Sequence, residues 1–210
     1  MLKKKHGSQF RIVLKDILIE VLEACIHHIL ASRSIYPQSV FTKRLFGPVQ
    51  CGVPIMVSDH PDINNFITEG LTGFRDAILN TICSRVINQF DLVIVENTDD
   101  GVEHVIETYI FQFEFFLSND KANDNIFLEE KDRFDMEQNI RALILSLTSR
   151  MAELGPVKLK IKETIEPDYS FNFRLHTSRQ GAQVLADDIR WCKVPSHPNM
   201  FCQSKERKVL

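Results

Sequence analysis

Two stretches of the chain, YPQSVFTKR at residues 36–44 and VPIMVSDHPDINNFI at residues 53–67, carry most of the fold prediction. The first opens on a Tyr-Pro pair, and because the residue before a proline is disfavoured in a helix, a preceding helix ends there. The second leads from a Pro-bounded apolar run to Ser58 or Asp59, either of which can cap a second helix. The two stretches therefore predict an extended segment between two helices.

Three parts of the chain carry apolar residues at the helical spacing of three and four. They predict a first helix at residues 8–34, a second helix that begins after residue 59, and a third helix at about residues 132–154, which Gly155-Pro156 ends. We expect the buried stripes to be Phe10, Leu14, Ile17, Val21, Cys25 and His28, widened by Leu18, Leu22, Ile26 and Ile29; then Ile63, Phe66, Ile67, Leu71, Phe74, Ile78 and Ile82; and then Met136, Ile140, Leu143, Ile144, Leu147, Met151 and Leu154.

The strands are predicted from β-branched or alternating runs. FDLVIVEN at residues 90–97 turns through Asp100-Gly101 into a return strand at 102–117. The alternation of that return strand slips near Val105-Ile106, which predicts a bulge. Two further runs, VKLKIKETI and YSFNFRLHT, also alternate, whereas the last residues of the chain lose periodicity. Helices and an antiparallel sheet are thus segregated, which is typical of an α+β fold.

Composition and charge exclude several classes of function. The 210 residues are 44% hydrophobic and 25% charged, which is ordinary for a soluble globular protein with a real core. The formal net charge of −3 argues against direct binding of nucleic acid through a basic face. Charges interrupt the apolar stretches, so we predict no transmembrane helix and no membrane partner. The five cysteines lack zinc or disulfide spacing, which indicates the cytosol or the nucleus.

No motif of known catalytic chemistry is present, so we predict a protein that is not an enzyme and that needs no cofactor and no metal. His27 and His28 are adjacent on a helix and point about 100° apart, so packing of a ring in the core explains them better than a shared metal ion. A small enzyme with Cys51 or Cys192 as its nucleophile is an alternative from another class, which activity lost in Cys→Ala variants would support.

An ordered set of fragments resembles the HORMA domain family over about residues 10–195. Each fragment is weak alone, and the order of the set is what makes the resemblance specific. The fragments are Tyr36-Pro37, Phe41, Lys43-Arg44, Val53-Pro54, Ser58, His60-Pro61, Asn64, Ile67 and Leu71, with EVLEACIHHIL at 20–30, VIETYIFQF at 105–113, QNIRALIL at 138–145, FNFRLHT at 171–177 and Trp191. Within the family they are most similar to the mitotic-arrest-deficient-like accessory subunits of DNA polymerase zeta.

The resemblance implies three long helices packed on one face of an antiparallel sheet, with a mobile C-terminal segment. Residues 1–210 would form a single HORMA domain, with its core at 8–176 and a shortened "safety belt" at 177–210. In the family this belt closes over an extended peptide that pairs with an exposed sheet edge. Backbone hydrogen bonds then supply the affinity for the peptide, and side-chain pockets supply the selectivity among peptide sequences. Because the peptide can leave only after the belt unfolds locally, the residence time of the peptide is long.

The function implied is that of a non-catalytic nuclear adaptor in translesion DNA synthesis and DNA damage tolerance. Its partner would be a Pro-containing peptide of the catalytic subunit of DNA polymerase zeta. An alternative with the same fold is a HORMA adaptor of the spindle checkpoint or of the meiotic chromosome axis. Pull-down of polymerase, or of mitotic activator or axis proteins, separates these alternatives.

The resemblance assigns Tyr36, Pro37, Phe66 and Trp191 to the peptide site. Phe66 stands where close relatives have a tyrosine, so it keeps the ring and lacks the hydroxyl. For Trp191 two roles stay open, because it either covers the captured peptide or anchors a loose tail to the core.

A second group, Lys43, Arg141 and Ala152, matches the surface through which HORMA domains dimerise. Arg141 lies within the apolar stripe of the third helix, where an arginine either anchors an interface or buries its stem at the edge of the helix.

The chain departs from the family pattern in three loops and in its tail. Residues 45–52, 118–131 and 155–170 are longer than their counterparts. In the family, a further pair of strands after the tail tryptophan completes the belt and forms the platform for a second translesion polymerase scaffold. We place no strand pair in SHPNMFCQSKERKVL, so we expect an abbreviated belt and leave that second partner open.

Overall fold

The structure, a computed structural model, describes residues 3–45, 52–79, 87–98, 102–112, 130–157, 168–177, 185, 190–193 and 200–203. These residues divide into two compact units, which are described separately. The first comprises residues 1–64 and 121–157, and the second comprises residues 65–120 and 158–210. The single domain predicted over residues 1–210, with its core at 8–176, stays a prediction.

Within the described residues, helices and antiparallel strands follow one another without any parallel pair. The predicted α+β class is therefore confirmed. A short 3-10 helix, Gln38–Val40, follows the first long helix. The elements are α1 (Lys3–Ser32), β1 (Phe41–Leu45), β2 (Pro54–Ser58), α2 (Pro61–Leu79), β3 (Ile87–Asn97), β4 (Glu103–Gln112), α3 (Glu130–Leu154), β5 (Asp168–Thr177), β6 (Trp191–Lys193) and β7 (Met200–Gln203).

In the first unit, α1 packs against β2 and α3. The predicted stripe is buried at Val21, Leu22, Cys25, Ile26 and Ile29, so the helical periodicity of this part of α1 is confirmed. The helix ends where the side-chain amide of Gln38 donates to the carbonyl of Ala31 at 2.6 Å. The extended segment is a hairpin in which β1 pairs with β2, with Phe41 opposite Ser58.

Ser58 organises the turn before α2, although it is not the cap that the sequence predicts, because the carbonyl of His60 accepts the first hydrogen bond of the helix. Its hydroxyl oxygen accepts a hydrogen bond from the backbone N–H of His60 at 3.0 Å, and its carbonyl accepts one from the side chain of Asn64 at 3.1 Å. Asp59, the other predicted cap, is paired instead with the guanidinium of Arg44. The local sequence therefore selects the start of α2 through side-chain hydrogen bonds.

The buried stripe of α3 is narrower than predicted. Ile140, Ile144 and Met151 are buried, but Leu143 and Leu154 are 51% and 53% exposed. The prediction that these two leucines are buried is wrong, because they flank the narrow line of α3 that is covered. After α3, Gly155 adopts a left-handed backbone conformation, and its carbonyl accepts a hydrogen bond from the buried guanidinium of Arg33.

The second unit is built on a five-stranded sheet in the order β4-β3-β5-β7-β6. The central strand β3 is buried on both faces, with Phe90, Leu92 and Ile94 on one face and Val93 and Val95 on the other. Opposite Ile94 and Val95, the register of β4 shifts from Glu107 to Val105 and leaves Ile106 as an extra residue. The predicted bulge is therefore confirmed.

Within this unit, α2 covers one face of the sheet through aromatic side chains. The rings of Phe74 on α2 and Phe90 on β3 are 4.9 Å apart, and those of Phe90 and Phe173 are 5.1 Å apart. Phe74, Phe90 and Phe173 are fully buried, which makes them the centre of the core of this unit. The predicted stripe of α2 is likewise buried at Ile67 and Leu71.

The tail contains a strand pair that the sequence analysis does not predict. β7 pairs with β5 at Arg174, Leu175 and His176, and β6 pairs with β7. Strands of three and four residues are too short to show alternation, so the sequence carries no signal for them. The turn at Asp100-Gly101, the run VKLKIKETI after its first residue and residues 118–129 of the predicted loop lie outside the described residues. The last two residues of that predicted loop, Glu130 and Lys131, belong instead to α3.

None of the described helices carries an apolar stretch long enough to cross a membrane. Among the described residues, no three His, Cys, Asp or Glu side chains are grouped so that they could hold a metal ion.

His27 and His28 are both buried in the first unit. The backbone N–H of Ser58 donates to Nδ1 of His27 at 3.3 Å, which requires a neutral ring with Nδ1 as acceptor. Burial, and then the nearby Arg44 guanidinium, lowers the pKa of His27 to about 4. An unperturbed histidine has a pKa of about 6.5, so the unfolded chain takes up this proton first as pH falls.

A dependence of stability on pH follows from this difference. The contribution of neutral His27 to the free energy of unfolding is complete above about pH 6.5, is lost as pH falls to about 4, and amounts to about 3 kcal/mol. We expect His27→Asn, whose Oδ1 accepts the same N–H without titrating, to flatten this dependence. Urea unfolding across this pH range measures the slope, and equal slopes for both proteins would contradict the assignment.

Candidate functional site

The edge of β5 is the part of the second unit where the tail meets the main sheet. β3 pairs with β5 along its whole length, from Asp168 to Thr177. On the opposite edge, β7 pairs only with residues 174–176. For the rest of β5, no strand of the described residues pairs on that side. An incompletely paired edge presents backbone N–H and C=O groups that a further extended chain can use.

Trp191, at the start of β6, holds the tail hairpin on α2. Its indole is buried, and a Cβ atom built on Gly73 of α2 would lie 2.8 Å from Nε1 and 3.2 Å from Cε2. Only glycine leaves room for the ring at this distance. In the described part of the chain, no acceptor reaches the indole N–H.

An ion pair ties the same hairpin to the same helix. The guanidinium of Arg190 lies 2.7 Å from the carboxylate of Asp76 on α2, with both side chains partly in solvent. An exposed pair of this kind contributes about 0–1 kcal/mol. The ring of Trp191 against Gly73 is therefore the stronger of the two ties.

Phe66, the second predicted peptide-site residue in this unit, lies two turns before Gly73 on α2. Its half-buried ring packs edge-on against Phe171 at 5.2 Å and stacks on Phe173 at 5.9 Å. Phe66 thus packs directly on aromatic residues of β5, whereas Trp191 lies on β6, with β7 between it and β5.

Tyr36 and Pro37, the other two predicted peptide-site residues, belong to the first unit. Tyr36 is half-buried, and Pro37 is exposed with φ −52° and ψ 139°, an extended conformation. The predicted break after the first helix is thereby confirmed. Their assignment to a peptide site stays a prediction.

The three predicted dimer residues are all exposed in the first unit. Lys43 lies on β1 opposite Met56, and Arg141 and Ala152 lie on α3. Phe134 and Leu145, which are 58% and 49% exposed, fall on the same line of α3 as Arg141 and Ala152, at a spacing near whole helical turns. This line is an exposed apolar surface with one cation in it.

Cys25 is the cysteine whose side chain lies within the described residues. Cys25 is buried in α1, and burial raises the pKa of its thiol to about 12, so it is an unreactive core residue. Cys83, and the side chains of Cys51 and Cys192 that the enzyme alternative requires, lie outside the described residues.

The described residues define an α+β protein in which a C-terminal hairpin covers part of one edge of the main sheet. The family model for the HORMA domain matches residues 16–176. The chain belongs to the HORMA domain family, as its ordered fragments predict.

Two relatives are similar over most of the chain. DNA polymerase zeta subunit 2 of Drosophila melanogaster is 24% identical over 181 residues, which cover 86% of this chain and 78% of the relative. Mitotic spindle assembly checkpoint protein MAD2B of Danio rerio is 29% identical over 193 residues, which cover 87% of this chain and 77% of the relative.

Two solved structures share the fold. A chain of the mitotic checkpoint complex has a TM-score of 0.55 and 19% identity, with 87% of this chain and 78% of that chain covered. HTP-2 of C. elegans bound to the HIM-3 closure motif has a TM-score of 0.50 and 16% identity, with 78% and 69% covered. At this identity, the likeness supports the fold alone.

Proposed function

We propose that this protein is a non-catalytic adaptor that captures an extended peptide at the edge of β5 beneath its own tail. The observation that carries the proposal is the seating of the tail hairpin, which pairs with only three residues of a ten-residue strand. A competing strand can pair with the unfilled part of this edge and then displace β7. Backbone pairing supplies most of the affinity of such β-augmentation.

The partner proposed is a Pro-containing segment of the catalytic subunit of DNA polymerase zeta, and the setting is translesion DNA synthesis in the nucleus. The naming of one relative as DNA polymerase zeta subunit 2 supports this choice. Phe66 and Trp191 would line the captured peptide, because Phe66 packs on β5 and Trp191 belongs to the hairpin whose strand β7 pairs with β5. For Tyr36 and Pro37, which belong to the first unit, a role in peptide binding rests on the family resemblance alone.

A binding experiment tests the proposal with the chain's single tryptophan as its reporter. Overlapping peptides that tile the polymerase catalytic subunit are mixed with the full chain, and tryptophan emission and release rates are recorded. We expect one segment to bind at micromolar concentration or better, to change the emission of Trp191 and to leave slowly, because release requires the tail to open. Scrambled peptides of the same composition are the control. Absence of any binding segment would refute capture of this partner.

A HORMA adaptor of the spindle checkpoint or meiotic axis is the second candidate. Its support is the fold shared with a chain of the mitotic checkpoint complex and with HTP-2. The same binding experiment with tiled checkpoint activators and axis proteins separates the two candidates, because only the true partner contains a slowly released segment.

We further propose that the exposed line of α3 around Arg141 and Ala152, with Lys43, contacts a second HORMA domain. An arginine among exposed apolar residues is typical of an interface anchor. We expect Arg141→Ala to weaken self-association, or association with another HORMA domain, by about tenfold or more. Sedimentation velocity measures this, with Arg150→Ala as a matched control, since Arg150 is exposed on the same helix beside Glu153. Equal association by both variants would place the interface elsewhere.

A further inference from the structure

Arg174 is a cation on β5 whose Nε donor has no acceptor within the described residues. It is half-buried, and its Nε is shielded from solvent without an acceptor. A shielded donor without a partner costs free energy, more so when the group is charged. Such a group in a folded protein needs a physical explanation, and an absent ligand is one.

The nearest carboxylate in register does not neutralise this cation. Asp91 on β3 lies directly opposite Arg174 and is buried on the same face of the sheet. Its Oδ1 accepts a hydrogen bond from the side chain of Gln89 at 2.8 Å, and its Oδ2 lies 2.6 Å from Nε2 of His176. Each oxygen of Asp91 therefore already has a partner, and among the described residues no ion pair joins Asp91 to Arg174.

On its other side, Arg174 meets the tail. The residue opposite it in β7 is Cys202. Arg174 thus lies within the three-residue part of β5 with which the tail pairs.

We propose that the captured peptide carries an acidic side chain, aspartate or glutamate, which takes the position of Cys202 and pairs with Arg174. This inference rests on the proposed capture of a peptide at the edge of β5. Residues directly opposite one another in paired strands have Cβ atoms about 4.5–5.5 Å apart, which is within reach of a two-point pair between carboxylate and guanidinium. Exchange of the tail for the peptide would then give the Nε donor of Arg174 the acceptor that it lacks in the free protein.

The neighbouring positions of β5 extend this requirement into a short pattern. Phe173 and Leu175 flank Arg174 in sequence, are fully buried and face the opposite side of the sheet, where Phe66 packs. The peptide residues on either side of the acidic one would share that apolar face. The recognised pattern is therefore an apolar residue, an acidic residue and a second apolar residue in an extended chain.

Selection from a display library of random peptides, each about as long as β5, tests the inference without a known partner. The full-length wild-type chain and Arg174→Gln are used as targets, with Arg150→Gln as the matched control. We expect wild type and the control to enrich an acidic residue between two apolar ones, and Arg174→Gln to lose this enrichment. A selected peptide should bind Arg174→Gln about tenfold to about a hundredfold more weakly than it binds wild type.

Two further variants keep the outcome clear. Arg174→Glu should reverse the preference and enrich lysine or arginine at the same position. Arg174→Lys should retain the acidic preference with lower affinity, because lysine keeps the positive charge but cannot form the two parallel hydrogen bonds of a guanidinium. Thermal unfolding shows whether each variant folds. If Arg174→Gln does not fold, the test rests on Arg174→Lys, which should bind the selected acidic peptide more weakly than wild type does.

The possible results separate the two proposals. Peptides selected without any acidic enrichment, or with an enrichment that persists in Arg174→Gln, would overturn the role of Arg174 and leave peptide capture intact. If no peptide is selected by any of the proteins, capture at β5 fails and this inference fails with it.

Discussion

Phe173→Ala will lower the free energy of unfolding of the second unit by about 3–5 kcal/mol, the largest effect we expect from a single substitution. The ring is fully buried and contacts three other rings, those of Phe66 at 5.9 Å, Phe90 at 5.1 Å and Phe171 at 5.5 Å. Its removal leaves a cavity between α2 and the sheet that these neighbours cannot fill. Because domains are stable by about 5–15 kcal/mol, such a loss leaves little stability.

Urea unfolding followed by far-UV circular dichroism measures this effect. Phe134→Ala is the matched control, since that ring is 58% exposed on α3, and we expect a change of less than about 0.5 kcal/mol. Phe173→Leu fills most of the space left by the ring, so it should lower the free energy of unfolding less than Phe173→Ala does. A similar loss from Phe173→Ala and Phe134→Ala would contradict the position of Phe173 at the centre of the core.

Gly73→Leu will release the tail hairpin from α2. No side chain fits at Gly73, because a Cβ there already lies 2.8 Å from the indole of Trp191. Within a helix, leucine is favoured over glycine by roughly 0.5–1 kcal/mol, so the substitution stabilises α2 itself while it removes the space that Trp191 occupies. Overpacking costs about 1–3 kcal/mol, which here falls on the contact between tail and helix.

The single tryptophan makes this release measurable. We expect the emission of buried Trp191 to move to longer wavelength in Gly73→Leu, and proteases to cut the tail faster while the rest of the chain resists. Thr72→Leu, at the neighbouring exposed position of α2, is the matched control and should change neither. Under the proposed function, Gly73→Leu should also bind peptide faster, because the edge of β5 is no longer covered. Unchanged emission would mean that Trp191 is not held by Gly73.

The parts of the fold predicted correctly are those with a local physical cause. Apolar residues at helical spacing predict α1 and α2, and the residue types around Ser58 predict where α2 begins. The slip in alternation on β4 predicts the bulge at Ile106, because a strand has a strict period of two. The α+β class follows from the order of these elements.

The candidate site was less accessible from sequence. Phe66 and Trp191 enter through a family resemblance and not through any spacing that brings them together. From sequence alone, Gly73 is only a residue of low helix propensity, whereas the structure shows that it makes room for the indole of Trp191. Arg174 carries no signal at all, since an arginine on the polar side of an alternating strand is ordinary until its neighbours are known.

Short-range chemistry in the chain was sufficient for the helices, the bulge and the α+β class, because periodicity, capping and turn preferences act between residues close in sequence. Only the three-dimensional packing decided that Leu143 and Leu154 are exposed, that the tail folds back as a hairpin on β5, and that Arg174 lies beside an engaged Asp91. Those outcomes depend on contacts between residues far apart in the chain, whose free energies compete across the whole fold and leave no periodic trace in the sequence.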